Sequence, residues 1–444
     1  MYLADRSAPQ GASSAQDRLR GTARAVSPTV LALGTVSLVT DVSTEMVTAV
    51  LPLYLVMGLG LSPLGFGVLD GVQNGVSALV QLTGGHLADR VRNHKLIAGL
   101  GYGLSALVKP LLLVHHLGAL GVALALDRTG KGLRTAPRDA LISLSVPPER
   151  QGRAFGLHRA MDTTGALLGP IAAFLILGVA AGGYDAVFAV SGCVAALGVL
   201  ILLLFVPSGK SAARAGDSQG AGTATGTAPA TGAAPAPAPD ERPDLRAAFG
   251  LLRGRRLRRL FGCAVLLGLT TVSDAFLYLL LQRRTGVAEQ LFPLLPLGTA
   301  AVFLLLAVPA GRLADRIGRR TVFLAGHAGL LLGYALLLWA PATPALPYLV
   351  LALHGAFYAA TDGVLPAAVA AVVPERLRAS GIALVGSGQA LARFCCSLAF
   401  GAVWAAWGDG PALASAAVGL ACCAAVAGVV LRPAGEPRPT GEPR

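Results

Sequence analysis

Four charged side chains recur at helical spacing along one short stretch. Asp127, Lys131, Arg134 and Arg138 stand at i, i+4, i+7 and i+11. At about 100° per residue they share a stripe about 60° wide. Arg128 and Asp139 flank the stripe, and the segment around it is otherwise apolar. Even on the mildest insertion scale, a charge facing lipid at mid-span costs ~2.5–3.5 kcal/mol, so these groups must face protein or a water-filled cavity. Two chemistries suit them. One is an internal ion-pair ladder, Asp127 with Lys131 and Arg138 with an acid on another helix. The other is a binding site at Arg128, Lys131 and Arg134 for an anionic group, which a guanidinium grips with two parallel hydrogen bonds.

A second set of residues suits proton handling. Asp41 and Glu45 are four apart, on one face of an apolar run. Two acids so placed compete for charge, and such a carboxylate can change protonation, as proton coupling requires. No cation shares their turn. Thr270-Thr271-Val272-Ser273-Asp274 echoes Thr40-Asp41-Val42-Ser43, which adds Asp274 to the candidates. Asp70 and Asp362 are further acids in apolar surroundings. His158, Arg159 and Asp162 form another group, in which Arg159 and Asp162 are three apart and can pair on their own helix. Arg393 is the lone mid-run cation of the second half, where His354 and Asp362 share a run.

The elements that must hold these residues are membrane helices. The chain has 444 residues, 54% hydrophobic and 13% charged, against about 25% charged in soluble domains. Apolar runs of about 20 residues or more are expected at 28–57, 64–88, 96–116, 118–143, 152–179, 184–206, 258–281, 290–311, 320–340, 345–372, 378–404 and 410–431. Each should be helical, because lipid offers no partner to open backbone groups. The six cysteines all fall inside these runs, with no disulfide framework and no Cys-x-x-Cys metal pattern.

The net charge of +13 is not a nucleic-acid signal. With the N-terminus inside, the inner segments hold 27 of the 36 Lys and Arg, and the outer loops hold only Arg283 and Arg284. That asymmetry is the positive-inside rule, and it places both termini in the cytoplasm. Residues 1–27 read as a cytoplasmic tail rather than a signal peptide, because the run that follows is too long for a signal h-region and carries acids.

Two clusters repeat at one displacement. Gly85-His86-Leu87-Ala88-Asp89-Arg90 returns as Gly311-Arg312-Leu313-Ala314-Asp315-Arg316, 226 positions later, and Pro148-Glu149-Arg150 returns as Pro374-Glu375-Arg376 at the same offset. A shared offset implies duplication: a six-helix half at 28–206 and another at 258–431. Between them, 207–257 begins as an Ala/Gly/Thr/Pro-rich stretch that cannot build a core. It ends in a basic, partly amphipathic segment suited to the inner membrane face. Residues 432–444 form a second cytoplasmic tail.

These features resemble the major facilitator superfamily. The loop motif of that family, Gly-x-Leu-Ala-Asp-Arg-x-Gly-Arg-Arg/Lys, fits Gly311–Arg320 in full, including Gly318, Arg319 and Arg320. The first copy keeps Gly85, Asp89 and Arg90 but ends differently, in Arg92-Asn93-His94. The resemblance implies gating roles for both loops. Arg128-Thr129-Gly130-Lys131-Gly132 resembles the fourth-helix Arg-x-x-Gln-Gly of the family, which links Arg128 to proton coupling. Gly156, Gly165, Gly169 and Pro170 reproduce the spacing of its antiporter motif, with Ala173-Phe174 in place of the final glycines. Physically, these glycines permit close packing and Pro170 permits a bend.

The expected fold is an all-α integral membrane protein, with twelve transmembrane helices in two pseudo-symmetric six-helix bundles. The expected function is proton-coupled export of a small molecule by alternating access. Asp41, Glu45, Asp274 and Arg128 would handle the proton; Arg128, Lys131, Arg134, Arg159, Asp162 and Arg393 would contact substrate. An organic-anion or phosphate uptake or exchange carrier is the alternative, and a membrane sensor or scaffold without flux is the rival of another class. No P-loop, His-Glu-x-x-His or Gly-x-Ser-x-Gly motif is present, so no catalytic residue, metal or cofactor is expected. The expected setting is a bacterial cytoplasmic membrane, as a monomer, with protons, substrate and lipid as its partners and no nucleic acid.

Overall fold

The computed structural model describes residues 27–90, 94–147, 151–180, 182–206, 250–374 and 377–431. The tail before residue 27, the linker from 207 to 249, the tail after 431, Val91–Asn93, Pro148–Arg150, Ala181 and Glu375–Arg376 lie outside the described residues.

Helices follow one another at the twelve expected positions. They are Pro28–Leu53, Pro63–Arg90, His94–Val108, Leu117–Leu144, Gln151–Val179 and Tyr184–Phe205 in the first half. In the second half, Arg255–Gly268 and Asp274–Thr285 share the seventh span. Leu294–Ile317, Arg319–Trp339, Leu346–Thr361 with Val364–Ala370, Arg378–Trp407 and Asp409–Val430 complete it. Among the described residues, nine helices are long and apolar enough to cross a membrane unaided. The second, fourth and seventh spans are not among them. The fourth carries the charged stripe, and the seventh is broken.

The breaks have local causes. Pro52 removes a backbone donor near the end of the first span, which continues as the π-helical turn Tyr54–Gly58. The seventh span stops at Gly268, and the Val272 N–H, which a continued helix would direct to the Gly268 carbonyl, turns away to the Tyr334 hydroxyl at 2.9 Å. It resumes at Asp274 with a fresh N-terminus. Apolar periodicity alone predicts one continuous span from 258. The helix instead begins at Arg255, so the end of the basic segment forms its first turn rather than a separate surface element.

The two halves repeat one packing scheme. The first span packs on the fifth, the second on the fourth and the third on the fourth; the seventh packs on the eleventh, the eighth on the tenth and the ninth on the tenth. Glycines set the closest approaches. A Cβ on Gly101 would lie 2.7 Å from the Gly130 carbonyl oxygen, and one on Gly169 would lie 2.9 Å from both the Met46 nitrogen and the Val42 oxygen. Gly165 and Gly169 therefore seat the fifth span directly on the part of the first span that carries Asp41 and Glu45. Large apolar side chains such as Leu107, Val179 and Leu305 remain exposed, as a lipid-facing surface requires. Trp339, Tyr348 and Trp407 are also exposed and cluster at the end away from the termini, where aromatic residues mark a membrane–water boundary.

Candidate functional site

The fourth-span stripe forms a ladder with charges of the first, third and fifth spans, and Arg138 also donates to its own neighbour Asp139 at 3.1 Å. Lys109 Nζ of the third span lies 3.5 Å from Asp127 Oδ1. Lys131 Nζ lies 3.8 Å from Glu45 Oε1, and Arg134 Nη2 lies 3.4 Å from Asp41 Oδ1. Arg138 Nη1 is 3.7 Å from Asp162 Oδ1 and donates to Ser37 Oγ at 3.1 Å; Ser37 in turn donates to Asp162 at 2.9 Å. Arg159 closes the series on Asp162 at 3.7 Å. An ion-pair ladder is thus present with different partners. Asp127 pairs with Lys109 instead of Lys131, and the Asp41/Glu45 acids have their cations on the neighbouring helix.

Burial grades this ladder. The Arg134 side chain is 3% exposed and its guanidinium lies 4.5 Å from the Tyr102 ring centroid, while the Arg159 side chain is 79% exposed at the end nearer the termini. Arg134, Arg159 and Asp162, expected to contact substrate, do not line the central cavity, and neither does Lys131. Each of the four already pairs with a protein group of opposite charge.

That cavity lies between the halves and measures about 430 Å³. Glu45, Thr48, Asp70, Gln73 and Arg128 line it from the first half; Ser273, Asp274, Tyr278, Thr299, Tyr358, Asp362 and Arg393 line it from the second. Arg128 Nη2 donates to Gln73 Oε1 at 2.9 Å and approaches Thr48 Oγ1 at 3.5 Å. Asp274 Oδ1 lies 3.0 Å from His354 Nε2 and accepts from the Tyr358 hydroxyl at 2.6 Å. Asp274 is the first residue of the resumed seventh-span helix, a position that favours an anion. Arg393 lies over the Tyr358 ring at 5.9 Å, and its Nε is buried with no hydrogen-bond partner. The structure therefore brings Glu45, Arg128, Asp274 and Arg393 onto the wall of one cavity, and sets Asp41 behind it.

Sequence reasoning missed Gln73, Ser397, Tyr358 and Lys109 as partners. Only Lys109 left a signal: a lone lysine in an apolar run needs an acid. The other three are uncharged and become legible only once the helices are placed.

Among the described residues, the polar and ring contacts between the halves lie away from the termini. Ser397 Oγ donates to Asp70 Oδ2 at 2.6 Å, the Phe66 and Phe276 rings meet edge to face at 4.8 Å, and the Tyr184 hydroxyl lies 3.4 Å from Glu289 Oε2. At the opposite end, among the described residues, the hydrogen bonds of the second loop motif go to its own half. Gly318 takes a positive φ of 95° to turn the chain. Arg319 then donates to the Ala367 carbonyl at 2.7 Å, and Arg320 donates to the Gly428 carbonyl. Asp315 and Arg316 are exposed, and Gly311 meets open space. The second-span helix runs through Gly85 and Asp89 to Arg90, whose side chains lie outside the described set. Gly156 also meets open space, and Pro170 lies inside an unbroken helix.

Two six-helix bundles around a polar cavity, with discontinuous helices at its wall, define a membrane transporter architecture. The Major Facilitator Superfamily model matches residues 33–304 and 260–444, and the chain belongs to that family. An uncharacterised MFS-type transporter of Methanocaldococcus jannaschii is 28% identical over 86% of this chain and 89% of its own length. The nucleoside transporter NupG superposes with a TM-score of 0.72 at 14% identity, covering 91% of this chain and 99% of that one. A bacterial homologue of the human lysosomal transporter Spinster, inward-facing and unoccupied, gives 0.65 at 17% identity over 91% and 94% of the two chains. At these identities the two structures speak for the fold alone.

Proposed function

We propose that this protein is a proton-coupled carrier that exports a small molecule by alternating access. The observation that carries the reading is the position of Glu45. It lines the central cavity, and its lysine partner stands at 3.8 Å, the longest pair of the ladder. An acid in that position can exchange a proton with cavity water and release Lys131 when it does. Asp41, one helical turn away and buried against Arg134, transmits the change along the ladder to Arg138 and Asp162.

Arg128 anchors the substrate, because it reaches the cavity on neutral partners. Lys131 and Arg134 serve the coupling instead. With both termini cytoplasmic, the contacts at Asp70, Phe66 and Tyr184 would close the outer end of the halves, which suits substrate loading from the cytoplasm for export. Rocking about the cavity would break the contacts at Asp70, Phe66 and Tyr184 and bring the two loop motifs together. Export rather than uptake rests on the glycine spacing of the fifth span, which packs that helix on the coupling acids.

The test uses inside-out vesicles holding an acid-inside pH gradient. Addition of a transported compound should collapse the gradient, and Glu45→Gln vesicles should not respond. A compound that exchanges across the membrane equally well in Glu45→Gln vesicles and never moves the gradient would favour an exchanger without proton coupling.

A further inference from the structure

The transported molecule is identified by the charges that the cavity leaves unmatched. On the first-half wall, Glu45 is matched by Lys131 and Asp70 accepts from Ser397 of the other half, while Arg128 is held by Gln73 and Thr48 and has no carboxylate within 4 Å among the described residues, whereas Lys109, Lys131, Arg134, Arg138 and Arg159 each have one. On the facing wall the balance is reversed. Asp274 and Asp362 have no lysine or arginine within 4 Å among the described residues. The Asp274 side chain is 44% exposed to the cavity and accepts only from His354 and Tyr358. Arg393 offsets one of these two acids, and the wall stays net negative.

A purely anionic ligand would meet the second wall as a like charge. A purely cationic one would meet Arg128. Both mismatches fall in a cavity walled by protein, where screening by water is weak. We infer that the substrate is dipolar: an anionic group, carboxylate or phosphate, docks on Arg128, and an ammonium group docks on Asp362 and Asp274. Such a molecule touches both halves at once. Its binding is then strongest when the walls draw together, which is the differential contact that any ligand-driven conformational change needs. This inference rests on the carrier reading for its physiological meaning, but the binding step is tested apart from flux.

The experiment measures ligand-induced thermal stabilisation of the purified full chain in nanodiscs. The probes are ω-aminoalkanoates of three to eight carbons, each matched by the alkanoate and the alkylamine of the same length, and by the aminoalkyl phosphate. At least one dipolar probe should bind at least tenfold more tightly than both of its singly charged counterparts, with an optimum length along the series. Arg128→Gln should erase the preference over the alkylamine and Asp362→Asn the preference over the alkanoate; Arg128→Lys, which keeps the charge, should retain part of it. Equal binding of a singly charged counterpart, or no binding across the series, overturns the inference. Dipolar binding without flux of that probe in proteoliposomes overturns the carrier reading and leaves the inference standing.

Discussion

Asp41→Asn is the most informative single change, because it separates the structural part of the ladder from its coupling part. The Asp41 and Arg134 side chains are 9% and 3% exposed, and they meet at 3.4 Å. Removing one partner of a buried pair costs about 3–5 kcal/mol, since the other charge is left buried and uncompensated. Arg134 cannot relieve this by losing a proton. The reverse change, Arg134→Gln, leaves a carboxylate that can take up a proton, although it also forfeits the contact with the Tyr102 ring, worth about 0.5–2 kcal/mol. Asp41→Asn should therefore destabilise more than Arg134→Gln. The double variant, with two neutral amides of similar volume, should recover most of the loss. For a half of this size, about 2–4 °C per kcal/mol puts the Asp41→Asn shift on the order of 10 °C in apparent midpoint. The assay is fluorescence-detected thermal unfolding in detergent at a fixed ramp, which compares variants even where unfolding is irreversible. Glu45→Gln serves as the internal contrast: its pair is 3.8 Å long with side chains 27% and 39% exposed, so its loss should cost under about 1 kcal/mol. If the double variant is no more stable than Asp41→Asn, or if Glu45→Gln costs as much as Asp41→Asn, the assignment of Asp41 to the ladder's buried core is wrong.

Three further outcomes follow from the geometry. Glu45→Gln should fold normally yet carry substrate at a rate independent of pH, measured as initial flux between pH 5.5 and 8; retained pH dependence would move the proton elsewhere. Gly169→Leu should fail to give a monodisperse protein, and Gly169→Ala should lower the apparent midpoint by several degrees. The added carbon would lie 2.9 Å from first-span backbone atoms that cannot withdraw, and a neutral result would show that the fifth span is not seated there. Tyr184→Cys with Glu289→Cys, in a background lacking the native six cysteines, should be bridged without substrate by a bifunctional maleimide that spans the length of the two lost side chains, and should arrest transport when linked, because the two native side chains meet end to end at 3.4 Å on the closed side; transport that survives linkage would exclude opening at that end.

The fold was largely legible because lipid imposes its rule on every span. A run of about 20 apolar residues must be a helix, and the 226-residue displacement between the two loop motifs already divides the chain into halves. The broken seventh span was not legible. Its interruption depends on the Tyr334 hydroxyl capturing the Val272 N–H, a contact between residues 62 positions apart. The site was legible in residue type more than in partnership. Asp41, Glu45, Arg128 and Arg134 all stood out as charges in apolar surroundings, yet helical spacing relates residues on one helix only. It suggested Asp127 with Lys131, and the fold pairs Asp127 with Lys109 and Lys131 with Glu45. The same limit left an ion-pair ladder and a substrate-binding surface as alternatives for the stripe, and most of its charge is paired with the first and fifth spans.

The division of labour between the halves explains why one stripe of charge can serve two ends. Ion pairs inside the first half link its first, third, fourth and fifth spans, so the proton we propose for Glu45 would alter electrostatics within a single packed unit. The cavity is shared, so a dipolar ligand alters the fit between units. Coupling requires these two events to meet, and they meet at neighbouring positions of the fourth span. Arg128 faces the cavity; Lys131, less than one turn further, faces Glu45. A helix that shifts to follow Lys131 carries Arg128 with it, because packing around Gly130 and Gly132 leaves no room for one to move alone. In the carrier cycle we propose, protonation of Glu45 and release of the substrate from Arg128 would be two ends of one rigid-body displacement, and neither would need a direct contact between proton and substrate.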